Sequence, residues 1–226
     1  MKKKQTYRLS VFRFDPLEDT EHRFEQFEIP RAGIRTVLDA LLYIRDRRDG
    51  TLAFRASCRQ GRCGSCAVHV NGRYGLACEM ELRPGKNIVR PLAQLPVIRD
   101  LMVDMEPFWE KYESIKPYLV RGSVTSAPDY RKRAELVAMI DCILCGACSS
   151  ACPMTGKNSA YQGPAAFVIL NRFLHDDRDA IHAQRMEMVK GDNGVFRCHN
   201  IFSCSVACPK NVDPAQNILE IKKNID

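Results

Sequence analysis

Eleven cysteines fall into three groups along the 226-residue chain, and two of these groups are one motif repeated. The first repeat covers residues 142–153 and has the order C-x2-C-x2-C-x3-C-P. The second covers residues 198–209, and its cysteines keep the same register except at one position. Where the first repeat has Cys145, the second has Ile201. If closely spaced cysteines bind one group, the backbone between them must fold around that group. The repeats therefore constrain the fold strongly.

This spacing is that of a bacterial ferredoxin run, in which the fourth cysteine ligates the cluster held mainly by the other run. Exchanging the fourth ligands predicts two iron–sulfur sites. The first has four thiolates and suits a [4Fe–4S] cluster: Cys142, Cys145, Cys148 and Cys208. The second has three and suits a [3Fe–4S] cluster: Cys152, Cys198 and Cys204. Ile201 occupies the position where a fourth thiolate would stand, and so favours the three-iron form.

The third cysteine group has a different spacing. Its order, C-x4-C-x2-C followed by a later cysteine, is that of plant-type [2Fe–2S] ferredoxins. The four predicted ligands are Cys58, Cys63, Cys66 and Cys78. Gly61 and Gly64 lack side chains, which lets backbone N–H groups approach the cluster sulfurs. Sets of four, four and three ligands account for all eleven cysteines.

Two other uses of cysteine fit this pattern less well. Structural zinc sites usually combine paired C-x2-C units into four ligands, and a triple run followed by Cys-Pro is a poor template for them. A disulfide framework would leave one cysteine of eleven unpaired. We expect no export signal, because a charged, alternating strand pattern follows the N-terminal lysines. A reducing compartment, which keeps thiolates available for iron, is therefore expected.

Charge and hydropathy exclude two further classes of protein. The net charge is +7, but the basic residues are scattered and no nucleic-acid motif is present, so no nucleic-acid partner is expected. No segment reaches the roughly 20 apolar residues that a membrane-spanning helix needs. A surface suited to a protein partner or to lipid headgroups explains a minority of the basic residues.

Hydrophobic periodicity predicts an α+β protein with two domains, over residues 1–104 and 105–226. In the first domain, the predicted elements are strands over 7–14 and 23–29, a helix over 36–44, and hairpin strands over 67–70 and 73–77. Asn71 and Gly72 are the residues of a type I′ turn between the hairpin strands. Two hairpins, a crossing helix and a cluster loop predict a β-grasp [2Fe–2S] ferredoxin domain.

From about Leu95 onward, the patterns become helical and remain so. Pro164 is suited to the first position of one helix, and Asp213 to the N-cap of the last. The second domain is therefore predicted to be an all-helical ferredoxin-like domain that wraps the [4Fe–4S] and [3Fe–4S] clusters. Tyr161 and Phe196 are expected to pack in its core.

This combination of motifs resembles the iron–sulfur subunit of succinate dehydrogenase and fumarate reductase. Residues 95–104 with Phe108 are similar to that family's linker, and residues 71–78 to its hairpin. The resemblance implies an electron-transfer subunit: electrons from succinate reach the FAD of a partner flavoprotein, pass through [2Fe–2S], [4Fe–4S] and [3Fe–4S], and reduce quinone at a membrane anchor. The anchor subunits can hold haem. The chain would then be a peripheral protein on the cytoplasmic face of a bacterial inner membrane.

The resemblance also implies a quinone site at the interface with the anchor. Pro153, His199 and Ile201 fall where ubiquinone-reducing members line the quinone pocket. Those members have a tryptophan where this chain has Lys157, which suggests a different anchor, a menaquinone user or a quinone bound elsewhere. Lys157 is then either a quinone or headgroup contact or a solvated loop residue. His199 is either a hydrogen-bond donor or proton relay at the three-iron cluster, or a polar residue satisfied by backbone.

Two alternative functions stay open. A quinol:fumarate reductase would use the same clusters in the reverse direction, and cluster potentials span roughly −700 to +450 mV, so the cysteine pattern does not decide the direction. A free-standing polyferredoxin would carry electrons without a committed complex. Three different clusters in two domains favour the subunit of a complex, because they imply a fixed entry and a fixed exit for electrons.

Overall fold

The computed structural model describes residues 6–122 and 133–225. Contacts between residues divide the chain into two compact units, Met1–Asp104 and Met105–Asp226. Among the described residues, both sheets lie in the first unit, and every α-helix except the first lies in the second.

A five-stranded mixed sheet forms the body of the first unit. In chain order its strands are β1 (Thr6–Arg13), β2 (Arg23–Pro30), β3 (Ala67–Val70), β4 (Arg73–Leu76) and β5 (Lys86–Arg90). They lie in the order β2-β1-β5-β3-β4, with β1 parallel to β5 and the other neighbours antiparallel. The first four agree with the sequence-based prediction, and β5 is an addition to it. A separate ribbon pairs β6 (Val97–Arg99) with β7 (Met102–Val103).

The turn between β3 and β4 brings the fourth cysteine of the first unit back toward the other three. Asn71 and Gly72 both have positive φ angles, 49° and 82°, as a type I′ turn requires. Just beyond β4, the N–H of Ala77 donates to the carbonyl of Cys66, with an N–O distance of 2.9 Å. This bond holds Cys78 beside the cysteine loop.

Helix α1 (Val37–Arg47) begins at its N-cap, Thr36. The Thr36 hydroxyl accepts the N–H of Asp39, while the Asp39 carboxylate accepts the N–H of Thr36. This capping box satisfies two donors that the first helical turn leaves open. The N–H of Leu38 donates to the Ala77 carbonyl at 2.8 Å, so the start of the helix is tied to the segment next to Cys78. The buried residues of the helix are Val37, Leu38, Ala40, Leu41 and Ile44.

A buried charge network fixes the segment that leads into the first cysteine loop. Arg13 is only 4% exposed and donates to Asp49 and to Asp100, with an Nε–Oδ1 distance of 3.0 Å to Asp100. Asp100 also accepts the backbone N–H of Ala53 at 2.9 Å. Burial alone would raise the pKa of Asp49, but hydrogen bonds from Thr51 and Arg13 outweigh it and hold that pKa at about 2.

Helices make up the second unit over its described residues. In chain order they are α2 (Glu106–Glu113), α3 (Arg133–Ile140), α4 (Ala147–Ala151), α5 (Pro153–Lys157), α6 (Pro164–Leu174), α7 (His182–Lys190), α8 (Ser203–Ala207) and α9 (Pro214–Lys223). A 3₁₀ turn covers Val195–Arg197, and an isolated bridge joins Arg121 to Asp179. The short helices α4 and α8 each follow a residue with positive φ and each carry a cysteine of one repeat.

Helix α6 is the core of the second unit, because nine of its eleven residues are buried. A helix that is apolar on nearly every side is stable only when other elements surround it. Helix α9 packs against it, and Asn171 of α6 donates to Asn217 of α9 at 3.0 Å. Asp213 caps α9 by accepting the N–H of Gln216, as predicted. Over residues 6–122 and 133–225, no helix is both long enough and apolar enough to cross a membrane.

Candidate iron–sulfur sites

Backbone N–H groups of the first cysteine loop face the cysteine sulfurs. The N–H of Gly61 points at Cys78 Sγ with an N–S distance of 3.3 Å. The N–H groups of Arg62 and Cys63 both point at Cys58 Sγ, each at 3.3 Å. The φ of 70° at Gly61 makes this turn possible without strain. Several N–H groups aimed at sulfur stabilise negative charge there, as an iron–sulfur cluster requires.

The thiols of this loop differ in their surroundings. Cys66 is 5% exposed, its Sγ lies 3.4 Å from that of Cys78, and burial raises its pKa to about 12. At Cys63, by contrast, a hydrogen bond from the Ser65 hydroxyl at 3.1 Å lowers the pKa to about 6. A cluster takes its cysteine ligands as thiolates, so bound iron must supply the positive charge that offsets the burial of Cys66.

A hollow in the second unit collects four cysteines from both repeats. Cys142, Cys145 and Cys148 come from the first repeat, and Cys208 comes from the second. The N–H of Val212 points at Cys208 Sγ at 3.4 Å. The other walls are largely apolar and include Leu144, Ala165, Val168 and Val212. The arrangement thus brings together the four residues predicted to hold a [4Fe–4S] cluster.

Burial shapes the ionisation of these four thiols. It raises the pKa of Cys148 well above its ordinary value and that of Cys145 to about 11, and the neighbouring thiols add to both shifts. Four thiolates in such a hollow would repel one another without cations between them. The donor set therefore fits a cationic iron core that shares its charge with all four sulfurs.

A second hollow is also lined by cysteines of both repeats. Cys152 of the first repeat meets Cys198 and Cys204 of the second there. Ile201 lines the same hollow, in the register position that Cys145 has in the first repeat. The structure thus brings together the three residues predicted to hold a [3Fe–4S] cluster, with an apolar side chain where the missing thiolate would lie.

One polar group in this second hollow has no oxygen or nitrogen partner. Tyr161 is fully buried, lines the hollow, and its hydroxyl makes no hydrogen bond to an oxygen or nitrogen of the described residues; it interacts instead with the Cys198 thiol. Burial, and then the charges of Cys198, Cys152 and Cys204, raise the pKa of this phenol. Because buried donors are nearly always satisfied, the lone hydroxyl indicates that a bound group with acceptor atoms belongs in the hollow. A cluster with sulfide and thiolate sulfurs fits that requirement.

The thiols surround these hollows; they do not converge on a point. Among the described residues, no three His, Cys, Asp or Glu side chains are placed to hold a single metal ion.

Of the four predicted quinone contacts, three line the second hollow and one does not. Pro153, His199 and Ile201 all line the second hollow, beside the three thiols, and all three are exposed at its rim. Lys157 is the last residue of α5 and is exposed, but it is not part of the wall of the hollow. The geometry groups the first three residues and leaves Lys157 apart.

The structure corrects one prediction near the second hollow and adds one contact that the sequence did not predict. Phe196 does not pack in the core, since it is 56% exposed on a short 3₁₀ turn whose buried residue is Val195. Lys222 donates from Nζ to the Cys198 carbonyl at 2.7 Å and to Asn200 Oδ1 at 3.2 Å. No sequence signal marks Lys222, because only the packing of α9 brings it to a loop 24 residues earlier in the chain.

Two family models match the chain in the predicted order. One, described as a 2Fe-2S iron-sulfur cluster binding domain, matches residues 8–110. The other, described as a 4Fe-4S dicluster domain, matches residues 138–212. A chain of a solved structure, the Mycobacterium smegmatis Sdh1 complex in the apo form, has the same fold, with a TM-score of 0.89 over 98% of this chain and 96% of that one at 23% identity. The predicted α+β fold class and the [2Fe–2S] and [4Fe–4S] binding domains are confirmed.

Curated relatives extend the likeness over nearly the full length. The succinate dehydrogenase iron-sulfur subunit of Coxiella burnetii is 38% identical over 94% of this chain and 94% of its own length. The fumarate reductase iron-sulfur subunit of Haemophilus influenzae is 38% identical over 93% of this chain and 89% of its own length. On this similarity, the chain belongs to the family of iron–sulfur subunits of succinate dehydrogenase and fumarate reductase.

Proposed function

We propose that this chain is the electron-transfer subunit of a membrane-bound succinate dehydrogenase that reduces quinone. The observation that carries the proposal is the crossed ligand arrangement, in which each hollow of the second unit combines thiols from both repeats. Paired ferredoxin clusters exchange their fourth ligands between runs in this way, and the C-x2-C-x2-C-x3-C-P spacing of the first repeat is that of a ferredoxin run. Membership of the family supports the same role.

The residues of the chain hold, insulate and tune the redox groups. When bound, the clusters supply one-electron redox chemistry between the FAD of a partner flavoprotein and a quinone. The cysteines fix the cluster positions, and apolar residues such as Leu144 and Val168 keep water out of the first hollow. Backbone N–H groups, such as that of Gly61 toward Cys78 Sγ, stabilise negative charge on the sulfurs.

Ile201 assigns the second hollow to a [3Fe–4S] cluster in this proposal. Its side chain lines the hollow together with three thiols, so no thiolate is available there for a fourth iron. An apolar residue in that corner also adds no charge, and the potential of the bound cluster is expected to be higher than with a fourth thiolate.

The exposed rim of the second hollow is the proposed quinone contact. Pro153, His199 and Ile201 lie there beside the thiols, and His199 could move a proton as the quinone is reduced. Membrane-anchor subunits would complete this pocket, with haem in the anchor as an option. Lys157, exposed at the end of α5, would contact the anchor or lipid headgroups. The proposed location is the cytoplasmic face of a bacterial inner membrane.

A quinol:fumarate reductase is the second candidate. The observation that favours it is the 38% identity to the Haemophilus influenzae fumarate reductase subunit, which equals the identity to the Coxiella burnetii succinate dehydrogenase subunit. The same cysteine sets would serve both directions, so the two functions differ in potentials and in the quinone used.

Purification from the native membrane tests the proposal. A tagged chain should bring with it a flavoprotein containing FAD and a membrane anchor, and should contain about nine irons, the total of the three cluster types. A chain that elutes alone would indicate a free electron carrier, and zinc in place of iron would contradict the cluster assignment. Comparing succinate:quinone with quinol:fumarate turnover in the same preparation decides the direction.

His199→Ala tests the quinone site. Quinone reduction should fall by about a hundredfold to ten-thousandfold if His199 transfers a proton, while succinate oxidation with an artificial acceptor at the flavin should be unchanged. His182→Ala is the matched comparison, because His182 is an exposed histidine of the same unit that lies outside the wall of the hollow. Full quinone activity in His199→Ala would place the quinone elsewhere.

A further inference from the structure

Tyr161 is held rigidly between α5 and α6. Its ring packs against Phe167, with ring centroids 5.7 Å apart, and its backbone N–H donates to the carbonyl of Asn158 at 3.1 Å. The whole residue is buried, with no exposed surface. Packing at both the backbone and the ring fixes the position of the phenolic oxygen, so the O–H can only rotate about the Cζ–O bond.

The surroundings of this hydroxyl are sulfur atoms. The hollow that Tyr161 lines also contains Cys152, Cys198 and Cys204, and among the described residues no oxygen or nitrogen accepts the phenolic proton. Thiolate and sulfide sulfurs carry negative charge and accept hydrogen bonds. The hydroxyl is therefore a donor placed at the site before the cluster binds.

We propose that Tyr161 donates a hydrogen bond to a sulfur of the cluster in the second hollow and thereby raises its reduction potential. This inference rests on the proposed function, because it requires a [3Fe–4S] cluster held by the three thiols. The reduced cluster carries one more negative charge than the oxidised cluster. A donor aimed at its sulfur stabilises the reduced form more strongly, since hydrogen bonds to charged acceptors are the stronger ones.

The role of Tyr161 is to position a dipole, and it needs no proton transfer. With a cluster bound, the Tyr161 O–H bond would stay intact while one electron that originates from succinate passes to the quinone. Raising the potential of the last cluster favours its reduction by the preceding cluster.

Tyr161→Phe in the intact complex tests the inference. The change removes only the hydroxyl and keeps the packing against Phe167. In a redox titration followed by EPR of the oxidised three-iron signal, the one-electron equilibrium should shift about tenfold toward the oxidised cluster, which lowers the midpoint by about 59 mV. Tyr118→Phe is the control, because that tyrosine of the same unit is 58% exposed, and its midpoint should match the wild type.

Two further measurements separate a hydrogen bond from a packing effect. After exchange into D2O, pulsed EPR should detect a deuteron coupled to the oxidised cluster in the wild type that is missing in Tyr161→Phe. Replacing Tyr161 by 3-fluorotyrosine, a stronger donor of nearly the same size, should raise the midpoint. The fluorinated protein also decides the question if Tyr161→Phe fails to assemble.

The outcomes distinguish this inference from the proposed function. A wild-type complex with no three-iron signal would contradict the cluster assignment itself. A normal wild-type signal with an unchanged midpoint in both Tyr161 variants would overturn only the role of Tyr161. A lower midpoint in Tyr161→Phe together with a higher one in the fluorinated protein would establish it.

Discussion

The carboxylate of Glu79 lies directly over the α-carbon of Gly61. A β-carbon added at Gly61 would fall 1.9 Å from Glu79 Oε1 and 2.4 Å from its Cδ. Gly61 also has a φ of 70° and points its N–H at Cys78 Sγ. This one glycine therefore combines a left-handed backbone, a donor to a ligand sulfur and contact with an acidic side chain.

Gly61→Ala should lower the occupancy of the [2Fe–2S] cluster and leave that of the other two clusters unchanged. The new methyl group would push Glu79 away or shift the loop, and positive φ adds roughly 1–2 kcal/mol of strain for a residue with a β-carbon. The measurement is the EPR signal of the reduced [2Fe–2S] cluster, quantified against the three-iron signal of the same sample. Gly72→Ala is the control, since Gly72 has a φ of 82° but nothing lies within 4 Å of its added β-carbon. Equal cluster loss in both variants would show that strain, not the contact with Glu79, is responsible.

Glu79→Gln should raise the midpoint potential of the [2Fe–2S] cluster. A carboxylate beside the loop disfavours the added negative charge of the reduced cluster, and for an exposed carboxylate that acts through water from about 4 Å the interaction is about 1 kcal/mol. For a one-electron couple this corresponds to roughly 40 mV. Glu81→Gln is the comparison, because Glu81 is exposed and paired with Arg35 at 3.6 Å. A midpoint that rises equally in both variants would mean that net charge alone is acting.

Ile201→Cys should convert the three-iron site to a [4Fe–4S] site. The new thiol would line the hollow that Cys152, Cys198 and Cys204 already line, and the fourth thiolate would lower the cluster potential. Each 59 mV of lowering costs tenfold in the one-electron equilibrium, so quinone reduction should slow accordingly. The oxidised three-iron EPR signal should disappear in this variant but persist in Val206→Cys, whose side chain is 80% exposed outside the hollow. Persistence of the signal in Ile201→Cys would contradict the placement of the second repeat.

Arg13→Met should destabilise the first unit by about 3–5 kcal/mol, because it leaves buried carboxylates without their partner. Asp100, 2% exposed, loses an ion pair of 3.0 Å. The thermal unfolding midpoint of this unit, compared at one fixed scan rate, should fall by roughly 10 °C or more. Arg23→Met is the control. The Arg23 side chain pairs with Asp19 but is 55% exposed, and surface ion pairs of this kind contribute at most about 1 kcal/mol to stability. Similar losses in both variants would show that the network around Arg13 has no special role.

Much of the candidate site could be predicted from the chain because its signals are local. The spacing of the cysteines within each run defines a loop that can close around one cluster, and Asn71-Gly72 sets the turn that returns Cys78 to the first loop. The starts of α6 at Pro164 and of α9 after Asp213 could be predicted because a proline at the first helical position and an N-cap aspartate act within one helical turn. The strands of the first hairpins follow from alternation over a few residues.

Other features depend on positions far apart in the chain. The parallel pairing of β1 with β5 joins Leu9 to Asn87, and nothing within either segment names its partner. The exposure of Phe196 is also decided by the packing of distant helices, none of which buries its ring.

The amino-acid sequence by itself determined the number and type of the cysteine sets, the single substitution at Ile201 and the order of a β-rich half before a helical half. Only the tertiary structure placed the Glu79 carboxylate over Gly61, aimed the Tyr161 hydroxyl into a hollow of thiols, and brought Lys222 to the carbonyl of Cys198. The physical reason is the separation along the chain over which each interaction acts. Ligand spacing and turn chemistry depend on bond geometry over a few residues, whereas these contacts depend on how distant elements pack once the core has formed.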